Sequence, residues 1–172
     1  MSDTLQPINC PACHKEMKKI FIPSEGINVD ICLDGCGGIF FDNREFKKFD
    51  EKAEKIDEIL EAIEGKDFEK VDESLPRTCP VCGSKMVKNY SSANRTIQID
   101  ECYSCGGKFL DNGELQQIRA EFDTEAERSE ATMQELYKTV GVKLHEMEAE
   151  KNAANAKRSL ANKLFRRMIY GR

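Results

Sequence analysis

Apolar and polar positions alternate over two short stretches, Met17 to Ile22 and Ile27 to Ile31, with Ser24-Glu25-Gly26 between them. A period of two broken by turn residues predicts a β-hairpin. The arrangement recurs at Met86 to Tyr90 and Arg95 to Asp100 around Ser91-Ser92-Ala93-Asn94, and Thr96-Ile97-Gln98-Ile99-Asp100 alternates as a half-buried strand should. After each hairpin the period lengthens. Phe46, Phe49, Ala53, Ile56, Leu60 and Ile63 follow at alternate steps of three and four, one stripe of an amphipathic helix that Gly65 ends. After the second hairpin, Leu115, Ile118, Phe122 and Ala126 start a stripe. Met133, Leu136, Val140, Leu144 and Met147 continue it after a slip in phase, and Leu160, Leu164 and Met168 close it. This predicts helix from Asn112 to about Met168, with a kink or split at Gly141 or at Asn152 to Asn155. Asp42 with Glu45, and Asp111 with Glu114, have N-cap and N3 spacing at the two helix starts. Lys66 to Arg77, with Pro76, reads as a polar connector.

The two hairpins lie inside a repeat. Cys10, Cys13, Cys36, Gly37, Gly38 and Asp42 match Cys79, Cys82, Cys105, Gly106, Gly107 and Asp111 at a constant offset. Only Cys32 is out of step with Cys102, because Cys32-Leu33-Asp34-Gly35-Cys36 has one residue more than Cys102-Tyr103-Ser104-Cys105. All eight cysteines fall in the repeats, four in each. Two cysteine pairs separated by a hairpin form the layout of a zinc ribbon, each pair on a tight knuckle so that four sulfurs converge on one ion. The predicted ligands are Cys10, Cys13, Cys32 and Cys36 at one site, and Cys79, Cys82, Cys102 and Cys105 at the other. Two Zn²⁺ are therefore expected; iron suits the same four thiolates, and the residues leave it open. The glycines at 37, 38, 106 and 107 let the backbone approach the sulfurs, and Lys15, Lys18, Lys85 and Lys88 stand near in sequence to offset their charge. The longer knuckle predicts a weaker first site. Cys10-Pro11-Ala12-Cys13-His14 has the spacing of a c-type haem attachment, but Gly83 replaces the histidine in the second repeat. His14 reads as an exposed knuckle residue, and His145 as a surface or packing residue.

The second copy, Cys102-Tyr-Ser-Cys105-Gly-Gly-Lys-Phe109-Leu-Asp111-Asn-Gly113-Glu114-Leu115, resembles the bacterial transcription-factor-type zinc-finger family (zf-TFIIB-like). The first, Cys36-Gly-Gly-Ile-Phe40-Phe-Asp42-Asn-Arg44-Glu45-Phe46, is similar, with phenylalanine where the family has tryptophan and Arg44 where it has glycine. The resemblance covers about residues 9 to 50 and 78 to 122, and implies a zinc ribbon with all four cysteines of each copy as ligands. The family name rests on similarity to the ribbon of transcription factor IIB, which does not by itself assign a role in transcription.

The expected fold is small α+β: two four-cysteine zinc ribbons, each a β-hairpin with zinc knuckles followed by an amphipathic α-helix, and a long C-terminal helical region. The segments are 9–50 (first ribbon and helix start), 51–77 (helix continuation and linker), 78–122 (second ribbon and helix start) and 123–172 (long helical region with a basic tail). Of the 172 residues 33% are charged and 8% aromatic, too little apolar material for units this small to fold without metal or partners. No leader pattern opens the chain and no 18-residue apolar run spans it, so a reduced, cytoplasmic setting is expected, in which paired cysteines bind metal.

With two histidines in all, no Ser-His-Asp or Cys-His constellation and no glycine-rich phosphate loop, a non-enzymatic protein is expected. Lys151 to Arg172 holds seven cations and no acid in a chain of net charge −5, an interaction tail by charge asymmetry. Nucleic-acid phosphate, anionic lipid, the acidic remainder of the chain and its own helix C-terminus are its possible counterparts. The leading expectation is an adaptor or regulatory protein that binds protein partners or itself through ribbons and helices. The alternative is a nucleic-acid-associated or transcription-related factor using the ribbons and the basic tail; a metal-handling or redox role comes a distant third. The apolar stripes predict a partner helix, in a homo-oligomer or in a chain folded back near Gly141 or Asn152.

Overall fold

Both predicted hairpins are present: β1 (Lys18–Ile22) with β2 (Ile27–Ile31), and β4 (Val87–Tyr90) with β5 (Gln98–Glu101). The computed structural model describes residues 6–52 and 54–170, without the side chains at 166, 167, 169 and 170. Ala53 of the first stripe and Arg172 of the basic tail thus lie outside the described residues. The chain divides into two units, Met1–Ser129 and Glu130–Arg172.

Two further strands, not foreseen from the pattern, join the repeats. β3 (Ile39–Phe41) and β6 (Lys108–Leu110) follow the Gly-Gly pairs and run antiparallel to each other, with Ile39 opposite Leu110, Phe40 opposite Phe109 and Phe41 opposite Lys108. The result is one six-stranded sheet of order β1-β2-β3-β6-β5-β4, a local two-fold with its axis between Phe40 and Phe109. The ribbons are therefore halves of one sheet and not separate heads on a helical frame.

Alternation along the strands sends side chains to two faces. On one face Ile22, Val29, Ile31, Ile39, Phe41, Ile97, Ile99 and Leu110 form a buried core. On the other, Phe40 and Phe109 lie buried with Ile8, Met17, Met86 and cysteines of both sites. A register row crosses the whole sheet as Lys19, Asp30, Phe40, Phe109, Asp100, Lys88, with each lysine bonded to its aspartate, at 2.9 Å for Lys19 and 3.0 Å for Lys88.

The first apolar stripe is not one helix. It forms a 3-10 turn at Phe46–Lys48, an irregular stretch, and helix α1 (Asp57–Ile63). Phe46, Phe49 and Ile56, joined by Ile59, are buried against the first core face. The sheet covers these members of the stripe, so they need no outside helix. Two arginines hold the irregular stretch. Arg119 donates to the carbonyls of Phe49, Lys52 and Glu54, and Arg128 to the carbonyl of Asp50. Those are oxygens that a continuous helix would have used for its own amides.

α2 (Glu114–Glu121) places Leu115 and Ile118 on the same core. The second helical stretch breaks after α2, with Phe122 extended, and not at Gly141 or Asn152 to Asn155. Thr124 Oγ1 accepts from the amide of Glu127, whose carboxylate accepts from the amide of Asp123. These two side-chain caps start α3 (Glu125–Tyr170), which runs unbroken through Gly141. The fold-back hairpin is thereby excluded. Among the described residues, no helix is long and apolar enough to cross a membrane.

Candidate metal centres

Each site is assembled from two turns. Cys10 and Cys13 lie in a knuckle closed by the isolated bridge of Asn9 with Glu16, and Cys79 and Cys82 in its counterpart closed by Thr78 with Lys85. Cys32 and Cys36 lie between β2 and β3, and Cys102 and Cys105 between β5 and β6. All eight predicted ligands fall into the two predicted sets, with the four sulfurs of each set within 4.8 Å of one another. Within the sets, Cys10 lies 3.4 Å from Cys36, Cys13 3.3 Å from Cys32, Cys79 3.5 Å from Cys105 and Cys82 3.4 Å from Cys102. These are free thiols, well beyond the ~2.05 Å of a disulfide bond and close to the ~3.8 Å edge of a sulfur tetrahedron around Zn²⁺ with ~2.3 Å bonds.

The surroundings suit a bound dication. Amides of Ala12 and Cys13 face Cys10, those of Val81 and Cys82 face Cys79, and those of Gly38 and Gly107 face Cys36 and Cys105. Four crowded thiols share protons unequally. Cys10 is pushed up, first by its hydrogen bond with Cys32 and then with Cys36, while Cys32 is drawn down to about 2 by its hydrogen bonds with Cys10 and then Cys36. Burial pushes Cys79 up, and hydrogen bonds from the hydroxyl and amide of Ser84 draw the exposed Cys82 down to about 6. Among the four lysines singled out, Lys15 stands by the first site, donating to the carbonyl of Asp34 and pairing with Glu69. Lys18 pairs instead with Asp34 and Lys88 with Asp100.

The longer knuckle is accommodated by Gly35: a Cβ there would lie 2.7 Å from Cys13 Sγ and 2.8 Å from Cys32 Sγ. The connector docks here as well, with the Glu69 amide donating to the Gly35 carbonyl and the Phe68 ring against Gly37. The segment read as merely polar thus closes over the first site. Gly38 and Gly107 serve the sheet in addition to the sulfurs. A Cβ on Gly38 would meet the Phe109 ring at 2.3 Å, and one on Gly107 the Phe40 ring at 2.5 Å. Each ribbon's aromatic fills a hollow in the other.

The helix-start pairs behave half as expected. The Glu45 and Glu114 carboxylates accept from the amides of Asp42 and Asp111, at 2.9 Å and 2.7 Å. The Asp111 side chain, however, turns to Arg77, and the residue capping α2 is Gly113. Arg77 was not singled out in the sequence. Its buried guanidinium donates to Asp111 at 2.7 Å, lies 3.5 Å from Asp100 and covers the Phe109 ring at 4.8 Å. The repeat alignment held the signal, since Arg77 stands where the first copy has Ile8. His14 is an exposed knuckle residue and His145 is exposed on α3.

No curated protein and no solved structure matches this chain. A family model, the transcription factor zinc-finger, matches at residues 9–52 and 78–121. Those segments carry the two convergent four-cysteine sets, and each set holds one zinc ion. With two tandem matches spanning half its length and both ligand sets assembled, the chain belongs to the transcription factor zinc-finger family.

Proposed function

We propose that this protein is a non-enzymatic interaction scaffold, an adaptor or regulator in which zinc supplies folding free energy and the long helix engages other proteins. A closed site of four thiolates offers no open coordination position for substrate. The observation that carries the reading is the contrast between the units. The sheet buries its large apolar side chains on both faces, whereas on α3 Met133, Leu136, Tyr137, Val140, Leu144 and Met147 are all exposed. An apolar series of that length on a helix is an interaction surface in waiting. The setting proposed is cytoplasmic, where reduced thiols remain available for zinc.

A second reading, nucleic-acid association, draws on Lys151 to Arg172, a stretch without a single acid. Affinity capture with the tagged full-length protein in its own host separates the two. Under the first reading a protein partner is recovered with or without nuclease, and is lost with Val140→Asp/Leu144→Asp at unchanged zinc content. Recovery of nucleic acid alone, abolished by nuclease and indifferent to that double variant, would overturn the first reading in favour of the second.

A further inference from the structure

We infer that α3 pairs antiparallel with α3 of a second copy of this chain. The inference rests on the interaction-scaffold reading and gives its helix a definite partner. From Met133 the residues at alternate steps of four and three are Tyr137, Val140, Leu144, Met147, Lys151, Ala154, Arg158, Ala161, Phe165 and Met168. This is a single heptad seam along nearly the whole helix. Its large apolar members among the described side chains are exposed by 42% (Val140) to 78% (Met168). The helix runs 46 residues without a break, about 69 Å at ~1.5 Å per residue, so it does not turn back to cover its own seam.

Charge selects the partner and its direction. Glu125 to Glu150 carries seven carboxylates against three cations, whereas Lys151 to Tyr170 carries six cations and no carboxylate. A second copy laid antiparallel sets each basic half against an acidic half while covering the seam from end to end. A parallel copy sets six cations against six and stacks Arg158 on Arg158 inside the seam, where like charges are most costly, whereas the antiparallel copy sets Arg158 against Leu144; Lys151, at the midpoint of the seam, meets its own counterpart in either direction. Nucleic acid or an anionic membrane would match only the basic half, leaving the seam from Met133 to Met147 exposed.

The test mixes equal amounts of isotopically light and heavy full-length, zinc-loaded protein. Sedimentation should give twice the 19.5 kDa of one chain. An amine-reactive cross-linker should then join light to heavy chains from Lys138 or Lys143 to Lys157 or Lys163. Light-to-heavy links of Lys157 to Lys157 or Lys163 to Lys163 would establish a parallel pair and overturn the inference, as would a monomer. Reversing charge with Lys157→Glu/Arg158→Glu/Lys163→Glu should yield a monomer that retains both zinc ions; a dimer that survives it overturns the inference. A monomer that still captures a protein partner leaves the scaffold reading standing, so the two failures are distinguishable.

Discussion

His14 has a φ of 63°, and Gly83, its counterpart, 72°; Arg44 has 73° against 88° at Gly113. The repeat therefore asks for the same left-handed backbone in both copies, and the first copy meets it with side chains. An L-residue in that region costs ~1–2 kcal/mol that glycine does not bear, partly offset by glycine's larger loss of chain entropy. His14→Gly and Arg44→Gly should each stabilise the zinc-loaded protein by about 0.5–1 kcal/mol; a Tm at or below that of the parent would refute this. A second residue carries a pH signature. Burial, with Asp111 and Glu73 nearby and Lys88 opposing, pushes the Glu114 carboxyl up to about 7. The folded chain then holds that proton to higher pH than the unfolded chain, so Glu114 lowers stability progressively as pH climbs from the ordinary glutamate range toward 7. Glu114→Gln keeps an oxygen for the Asp111 amide and removes the titration. Its stability gain over the parent should be about 1 kcal/mol larger at about pH 8 than at about pH 6. Denaturant melts at both values, with zinc present throughout, check this; a gain independent of pH counts against it.

Between β3 and β6 the sheet depends on two glycines meeting two rings. Gly107→Ala would put a methyl 2.5 Å from the Phe40 ring, and because Phe40 is itself fully buried the ring has nowhere to go. A loss of about 1–3 kcal/mol is expected, in the range of overpacked cores, with Gly38→Ala similar by the local symmetry. Gly141→Ala, which meets nothing, serves as the contrast and should be neutral or slightly stabilising; equal effects in guanidinium melts would defeat the argument. These strands mark where reading the residues stopped. The knuckles, hairpins and ligand sets were legible because each is encoded locally, by cysteine spacing or by alternation between turn residues. β3 and β6 are three residues long, too short for any period, and each takes one of its two partners from the other repeat. The stripe from Phe46 was misread because steps of three and four also suit a turn, a loop and a short helix laid over one sheet face. The break before α3 had a local signal, Thr124 followed three positions later by Glu127, hidden by the apolar pattern running through it. Nothing in the sequence marked the arginine clamps, which join residues 70 and 78 positions apart.

The repetition becomes intelligible at the scale of the whole sheet-bearing unit. A lone ribbon would end in β3 as an open edge, with a buried-type phenylalanine on view, and open edges invite unwanted pairing. The second copy supplies β6 to that edge and Phe109 to the Gly38 hollow, and receives the same in return. The core above the sheet draws on both copies, with Ile22, Val29 and Ile31 alongside Ile97, Ile99 and Leu115. Arg119 and Arg128 tie the second copy's helices to the segment after the first. Zinc at either end thus stabilises one structure, since metal that binds only the folded state adds its binding free energy to folding. Cys36→Ser should therefore loosen β5 as well as β2, and Cys105→Ser should loosen β2 as well as β5. Amide hydrogen exchange of the zinc-loaded variants reads this directly: protection should fall at Val29 and Ile99 together, in one melting transition. Two separate transitions, or full protection of the untouched ribbon, would mean that the halves fold independently. Burial also orders metal loss. The first set has three buried cysteines and the second two, with Cys82 exposed, so a chelator should take the second zinc first, the reverse of what the longer first knuckle suggests. The coupled sheet then makes that first loss destabilise both ribbons, so the remaining zinc should leave faster than it does from the intact protein.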